Sequence, residues 1–186
     1  MNPTLNKKDF EDLTTNLKDL AYGYLEKYSP SKQQLKVFLL KKYLTKIKGV
    51  QSKKEVTTII DEIIENLEKN SLLNDELYSD SKARMFLRRG YSLNKINQSL
   101  RNKGIDSKYV KQSIDKIKED QIEPDFVSAL KLCKRRRIGP LRPQANRELF
   151  YKKDMGILAR GGFRFDLSKR VLNLESDEFN KLLKII

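Results

Sequence analysis

The feature that most constrains this chain is a repeat. Residues 83–105 read ARMFLRRGYSLNKINQSLRNKGI, and the same pattern returns 72 residues later. Ile157 and Leu158 match Met85 and Phe86, Arg160 matches Arg88, Gly162 and Phe163 match Gly90 and Tyr91, and Val171 and Leu172 match Ser99 and Leu100. A fainter copy comes earlier. Ala21 and Leu25 lie 62 residues before Ala83 and Leu87, while Ser31, Leu35 and Leu39 lie 61 before Ser92, Ile96 and Leu100. Within the middle copy, Ala83, Phe86 and Leu87 share one helical face, and Leu93, Ile96 and Leu100 share another. Gly90 and Gly104 stand where those patterns stop, as glycines at helix C-termini do. Helical units that cannot bury their apolar faces alone bury them against one another. The expectation is therefore all-α: tandem three-helix, helix-turn-helix-like repeats in an elongated, curved array.

In chain order, residues 1–12 are polar and read as a flexible N-terminus. Leu13, Leu17, Leu20, Ala21, Tyr24 and Leu25 make a first helical stripe, broken at Ser29-Pro30 because the residue before proline avoids the helical region. Ser31 is placed to cap a second helix through Leu35, Phe38, Leu39 and Tyr43, and Gly49 ends that segment. Ser52-Lys-Lys-Glu55 reads as a capping box for a third helix through Val56, Ile59, Ile60, Ile63, Ile64 and Leu67. Repeat one spans 13–69. Repeat two spans 75–119, with Asn74 or Asp75, Ser92 and Asp106 as caps and Val110, Ile114 and Ile117 facing inward. Residues 124–186 hold a basic helix starting at Pro124, a loop over 139–146 opened by Gly139-Pro140, and repeat three. Its helices run through Leu149, Phe150 and Leu158, through Leu167 and Leu172, and from Ser176 through Phe179, Leu182 and Leu183. No strand pattern occurs.

Charge divides the chain. Residues 1–80 carry 13 Lys+Arg and 13 Asp+Glu, whereas residues 81–186 carry 26 and 12, so the whole net charge of +14 lies in the second part. All 12 arginines lie at or after Arg84. Arginine is the better fork for phosphate and carboxylate, so the later part is expected to face a polyanion or an acidic surface. The competing reading is that lysine-rich helices are merely soluble. Lys134, Arg135, Arg136 and Arg137 end a helix in four consecutive cations. One cation would balance the helix dipole, which is worth about 0.3–1 kcal/mol, so the run reads as a docking surface. Arg88, Arg89 and Arg160 precede the glycine turns, and Arg101 and Lys103 close the next helix. Balancing of helix C-termini is an equal alternative at these positions.

Catalytic chemistry finds little support. The chain has no histidine and one cysteine, Cys133. The usual general base and a zinc ligand set are therefore missing, and no disulfide framework is possible. Cys133, three residues after Leu130, reads as a small core residue, with a thiolate lowered by nearby arginines as the alternative. No G-x-x-x-x-G-K-[ST] nucleotide loop exists. Tyr91 and Phe163 read as wedges between repeats. Asn94, Asn97, Gln98 and Arg101 on the second helix of repeat two are base-reading types, which keeps a helix-turn-helix DNA-binding protein as the alternative. No apolar run approaches the ~20 residues of a membrane span. No secretory signal follows the N-terminal lysines, so a cytoplasmic location is expected.

Several segments, in order, resemble the RecX family. They are Ser31–Leu39 with its Ser/Leu/Leu spacing, Leu72-Leu-Asn-Asp-Glu76, Arg101-Asn-Lys-Gly-Ile105, the Arg-rich Gly-Pro-x-Arg stretch Lys134–Arg142, and Lys153–Leu172. The likeness runs from about residue 20 to 173. It departs at Asn70, where glycine is common, at Tyr78, where alanine is usual, and at Arg164, where serine is usual. The resemblance implies a non-enzymatic regulator without metal or cofactor. It implies a monomer that binds the RecA recombinase in its nucleoprotein filament, inhibits its ATPase and strand exchange, and touches single- or double-stranded DNA there. The expected contact residues are Arg88, Arg89, Arg101, Lys103, Lys134, Arg135, Arg136, Arg137, Arg142, Arg160 and Arg164.

Overall fold

The computed structural model describes residues 7–46 and 53–185. Among them the chain forms ten α-helices and one 3-10 turn, with no strand. The helices are α1 (Lys7–Lys27), α2 (Lys32–Lys46), α3 (Lys53–Lys69), α4 (Asp75–Arg88), α5 (Leu93–Arg101), α6 (Ser107–Asp120), α7 (Pro124–Arg136), α8 (Gln144–Arg160), α9 (Phe165–Leu172) and α10 (Ser176–Ile185), with the 3-10 turn at Gly139–Leu141. In chain order α7 stands between α6 and α8, separating the helices α4–α6 from α8–α10. Gly49 and Ser52, read above as a stop and a cap, lie outside the described residues. α1 is helical from Lys7, six residues ahead of the first stripe residue, Leu13. Once nucleated, a helix extends cheaply through Lys, Asp and Glu.

The chain packs into two compact bodies, Met1–Tyr78 with Lys103–Asp106, and Ser79–Asn102 with Ser107–Ile186. The first body has its core between α1, α2 and α3, where Leu17, Leu35, Leu39 and Ile60 are fully buried. In the second, α7 to α10 enclose Leu130, Ile138, Leu158, Val171 and Phe179. Each such side chain contributes about 1.5–3 kcal/mol by leaving water, which is what makes short helices stable here.

The 72-residue echo extends to individual hydrogen bonds. After α4, the Gly90 N–H donates to the Leu87 carbonyl (2.9 Å) and the Tyr91 N–H to the Phe86 carbonyl (3.1 Å). After α8, the Gly162 N–H donates to the Ala159 carbonyl (2.9 Å) and the Phe163 N–H to the Leu158 carbonyl (3.2 Å). Both turns need a left-handed residue, and Gly90 and Gly162 supply it with φ of +73° and +86°.

The helix starts repeat as well. Ser31 and Gln34 form a reciprocal capping box: the Gln34 N–H donates to Ser31 Oγ (3.2 Å) and the Ser31 N–H to Gln34 Oε1 (3.1 Å). Ser92 accepts from the Lys95 N–H (3.1 Å). A carboxylate at the start of a later helix takes the next orphan amide in each case. The Lys32 N–H donates to Asp75 Oδ1 (2.9 Å), and the Leu93 N–H to Asp125 Oδ1 (2.7 Å). Of the two cap candidates for α4, Asn74 accepts from the Leu77 N–H (3.0 Å), which frees Asp75 for Lys32. Arg164 occupies the third N-cap with the same backbone as Ser92, φ −68° and ψ 152° against −67° and 158°, and makes no side-chain cap bond. A guanidinium has no acceptor to offer.

Gly139-Pro140 does not stop the basic helix. α7 ends at Arg136, three residues before Gly139: Arg137 adopts the left-handed conformation at φ +52° and the Ile138 N–H bonds back to the Cys133 carbonyl (3.1 Å). The reason is burial: this sharp turn delivers Ile138, 1% exposed, into the core of the second body. The expected 139–146 loop is also shorter, since the 3-10 turn occupies Gly139–Leu141 and α8 begins at Gln144.

Candidate polyanion-binding surface

The second body brings three arginine-bearing helix ends together around Leu132. A methyl on Gly90 would meet the Leu132 amide nitrogen and the Ser128 carbonyl oxygen at 2.8 Å, so the turn after α4 lies directly on α7. A methyl on Gly161 would meet Leu132 Cδ2 at 3.0 Å, so the turn after α8 reaches the same residue. The Ser92 N–H then ties the two turns by donating to the Gly161 carbonyl (3.2 Å). Arg88 and Arg89 immediately precede Gly90, Arg160 immediately precedes Gly161, and Lys134, Arg135, Arg136 and Arg137 follow Leu132. All seven are exposed. Helix C-termini carry partial negative charge, which offsets the cost of gathering these cations without consuming their donors.

Ion pairing sorts the 12 arginines. Arg84 pairs with Asp120 at 3.1 Å, on the surface. Arg142 is held inward: Nε donates to Asp154 Oδ2 (2.6 Å) and its terminal nitrogen to Oδ1 (2.7 Å), while the guanidinium lies 4.4 Å from the centre of the Phe150 ring. Hydrogen bonding to this carboxylate raises the Arg142 pKa further. Asp154 is 1% exposed and also accepts the Gly139 N–H (2.9 Å), so Arg142 neutralises a buried charge and its fork is already filled. Arg147 donates to the Pro140 carbonyl (2.8 Å) and Ser176 Oγ (2.6 Å), joining α8 to the 3-10 turn and α10. Arg170 forms a fork with Glu123 (2.7 and 3.3 Å) and stacks over Phe126 at 4.1 Å. The other eight arginines, Arg88, Arg89, Arg101, Arg135, Arg136, Arg137, Arg160 and Arg164, make no ion pair among the described residues.

Arg101, at the end of α5, and Arg164, just after the second glycine turn, are exposed on the second body. Lys103 belongs to the first body, where its carbonyl accepts from Ser31 Oγ (2.9 Å). Asn94 and Gln98 lie exposed on α5, whereas Asn97 is half-buried. Tyr91 stacks on Phe86 with ring centres 5.4 Å apart, and Phe163 is buried in the second core. The sequence pattern gives no sign of the roles of Arg147 and Arg170, because Ser176 and Glu123, which they bind, lie 29 and 47 residues away along the chain.

Cys133 is fully buried, and burial, with the Asp154 charge as a lesser cause, pushes its thiol up to about 12. It is a core side chain and not a thiolate nucleophile. No group of three or more His, Cys, Asp or Glu among the described residues is arranged to hold a metal. No described helix is long and apolar enough to cross a membrane.

No family model matches the chain. The regulatory protein RecX of Myxococcus xanthus (strain DK1622) is 33% identical to it over 161 residues, covering 86% of this chain and 85% of that protein. This chain belongs to the RecX family. The RecX proteins of Streptococcus uberis and Clostridioides difficile are 30% and 29% identical over 129 and 144 residues. The chain spans 47% and 63% of those two relatives. Two solved structures share the fold. A crystal structure of regulatory protein RecX superposes with a TM-score of 0.60 at 19% identity, over 92% of this chain and 80% of the other. RecX from Lactobacillus salivarius gives 0.59 at 20%, over 95% and 99%. The helical architecture is thus that of RecX proteins, and the role is regulatory.

Proposed function

We propose that this RecX-family chain modulates the RecA recombinase in DNA repair and recombination, binding the RecA–DNA filament and inhibiting its ATPase and strand exchange without chemistry of its own. The observation that carries this reading is that the turns after α4 and α8, each directly preceded by arginines without an ion pair, both reach Leu132 of α7, just ahead of its basic run. Exposed guanidiniums with no internal acid are free to fork onto phosphate or carboxylate, and a filament presents both. The test is ATP hydrolysis by the cognate recombinase on single-stranded DNA, with this chain added well below the recombinase concentration. Native chain slows hydrolysis at that ratio, and the R135A/R136A/R137A variant loses most of the effect. Unchanged hydrolysis alongside a shift of bare DNA would replace this reading with that of a helix-turn-helix DNA-binding protein.

A further inference from the structure

α2 presents apolar residues in two directions. Leu35, Leu39 and Tyr43 are buried in the first core, whereas Val37 and Leu44, on the opposite side, are 53% and 63% exposed. Leu40 sits between them, half-buried. Seven residues of helix separate Val37 from Leu44, about 10 Å at 1.5 Å per residue. A helix on the surface of a folded body ordinarily turns polar residues outward there, and a contiguous exposed apolar stripe marks an interaction surface.

The stripe has a charge signature. α2 carries five lysines and no Asp or Glu. Lys32 and Lys36 pair with Glu68 and Asp61 of α3. Lys41, one residue beyond Leu40, is exposed and makes no ion pair among the described residues. We infer that this face docks an acidic amphipathic helix of a partner protein, its apolar side laid on Val37, Leu40 and Leu44 and a carboxylate set on Lys41. A second copy of the chain fits poorly, because the acids beside α2, Glu68 and Asp61, already pair with Lys32 and Lys36, and α2 itself has none to set against the other copy's Lys41. An anionic bilayer fits poorly as well. Residues 1–80 balance 13 basic against 13 acidic side chains, so they lack the net pull of a polybasic membrane segment, and a stripe one side chain wide matches a helix ridge. This surface is separate from the arginine cluster and goes beyond the reading proposed above.

The probe is a fluorescein-labelled peptide of about fifteen residues, long enough for helix formation, with leucines on one face and glutamates on the other. It is titrated with the full-length chain alongside a lysine-for-glutamate version and phosphatidylglycerol vesicles. The acidic peptide binds the native chain saturably, V37S/L44S weakens binding about tenfold or more, K41E weakens it too, and the basic peptide does not bind. Both variants change exposed side chains, so their circular dichroism melts match the native one. Equal binding by V37S/L44S, equal binding of the basic peptide, or binding to vesicles but not to the acidic peptide would overturn the inference. Neither recombinase nor DNA is present, so this outcome is independent of the filament assay.

Discussion

Arg137 holds a backbone conformation that costs a side chain on the order of 1–2 kcal/mol relative to the right-handed region. Glycine would relieve that strain, less the roughly 0.5–1 kcal/mol of chain entropy it brings. Arg137→Gly is therefore expected to leave stability unchanged or raise it by up to about 1 kcal/mol in urea unfolding, while weakening inhibition of the recombinase. Reduced stability together with full inhibition would contradict this assignment. Asp75 gives a pH test. Burial holds its carboxyl above the usual carboxylate range, against the opposing pull of its bond from Lys32. An acid shifted upward contributes stability that is fully present below its unfolded-state pKa and is lost as pH rises through the folded-state value. Asp75→Asn keeps an acceptor for the Lys32 N–H and cannot ionise, so it should be at least as stable as the native chain at pH 7. That advantage should vanish near pH 3. Urea midpoints at the two pH values check it. None of this was legible from the sequence. Arg137 reads as one cation in a run of four, and Asp75 reads as a helix cap; only the neighbours that bury Ile138 and Asp75 give them other tasks.

At the scale of elements, the glycine turns do two jobs at once. Gly90 supplies a left-handed C-terminus for α4 and lets the chain pass against the α7 backbone. Gly90→Ala meets both a positive φ and a 2.8 Å approach to main-chain atoms, which no rotamer can relieve. It should cost about 2 kcal/mol or more in urea unfolding and loosen the junction where the arginines gather. A cost below 0.5 kcal/mol would show that the turn can slide off α7. The repeat was readable because like local geometry selects like residue types: an apolar residue four positions before a Gly-aromatic pair, Phe86 before Gly90-Tyr91 and Leu158 before Gly162-Phe163, marks both turns. The helix stripes were readable for the same reason, as buried positions repeat every three or four residues. What the sequence did not disclose were the bonds that cross between elements. Lys32 to Asp75 and Leu93 to Asp125 join residues 43 and 32 positions apart. Neither acid differs in the sequence from an ordinary first-turn carboxylate. Arg142 reads as a contact residue in the sequence for the same reason, since the buried Asp154 that fills its fork comes beside it only once α8 is folded against the 3-10 turn.

For the whole molecule, charge and packing divide in parallel. The net charge belongs to the later part of the sequence, and within the second body the arginines split into those that hold it together and those that face solvent. The account's central claim is that the solvent-facing set engages a protein–DNA filament and not DNA alone. The direct measurement is equilibrium binding of the chain to fluorescent single-stranded DNA, bare or coated with the cognate recombinase, across a salt series. The native chain should bind the coated DNA at least about tenfold more tightly at 0.15 M salt. R88A/R89A/R160A should lose that preference much as R135A/R136A/R137A does, because the turns that follow the first set pack at Leu132, just ahead of the second. Equal affinity for bare and coated DNA, with a salt slope near 0.7 per phosphate contact on single strands, would contradict the account and leave a DNA-binding protein in its place.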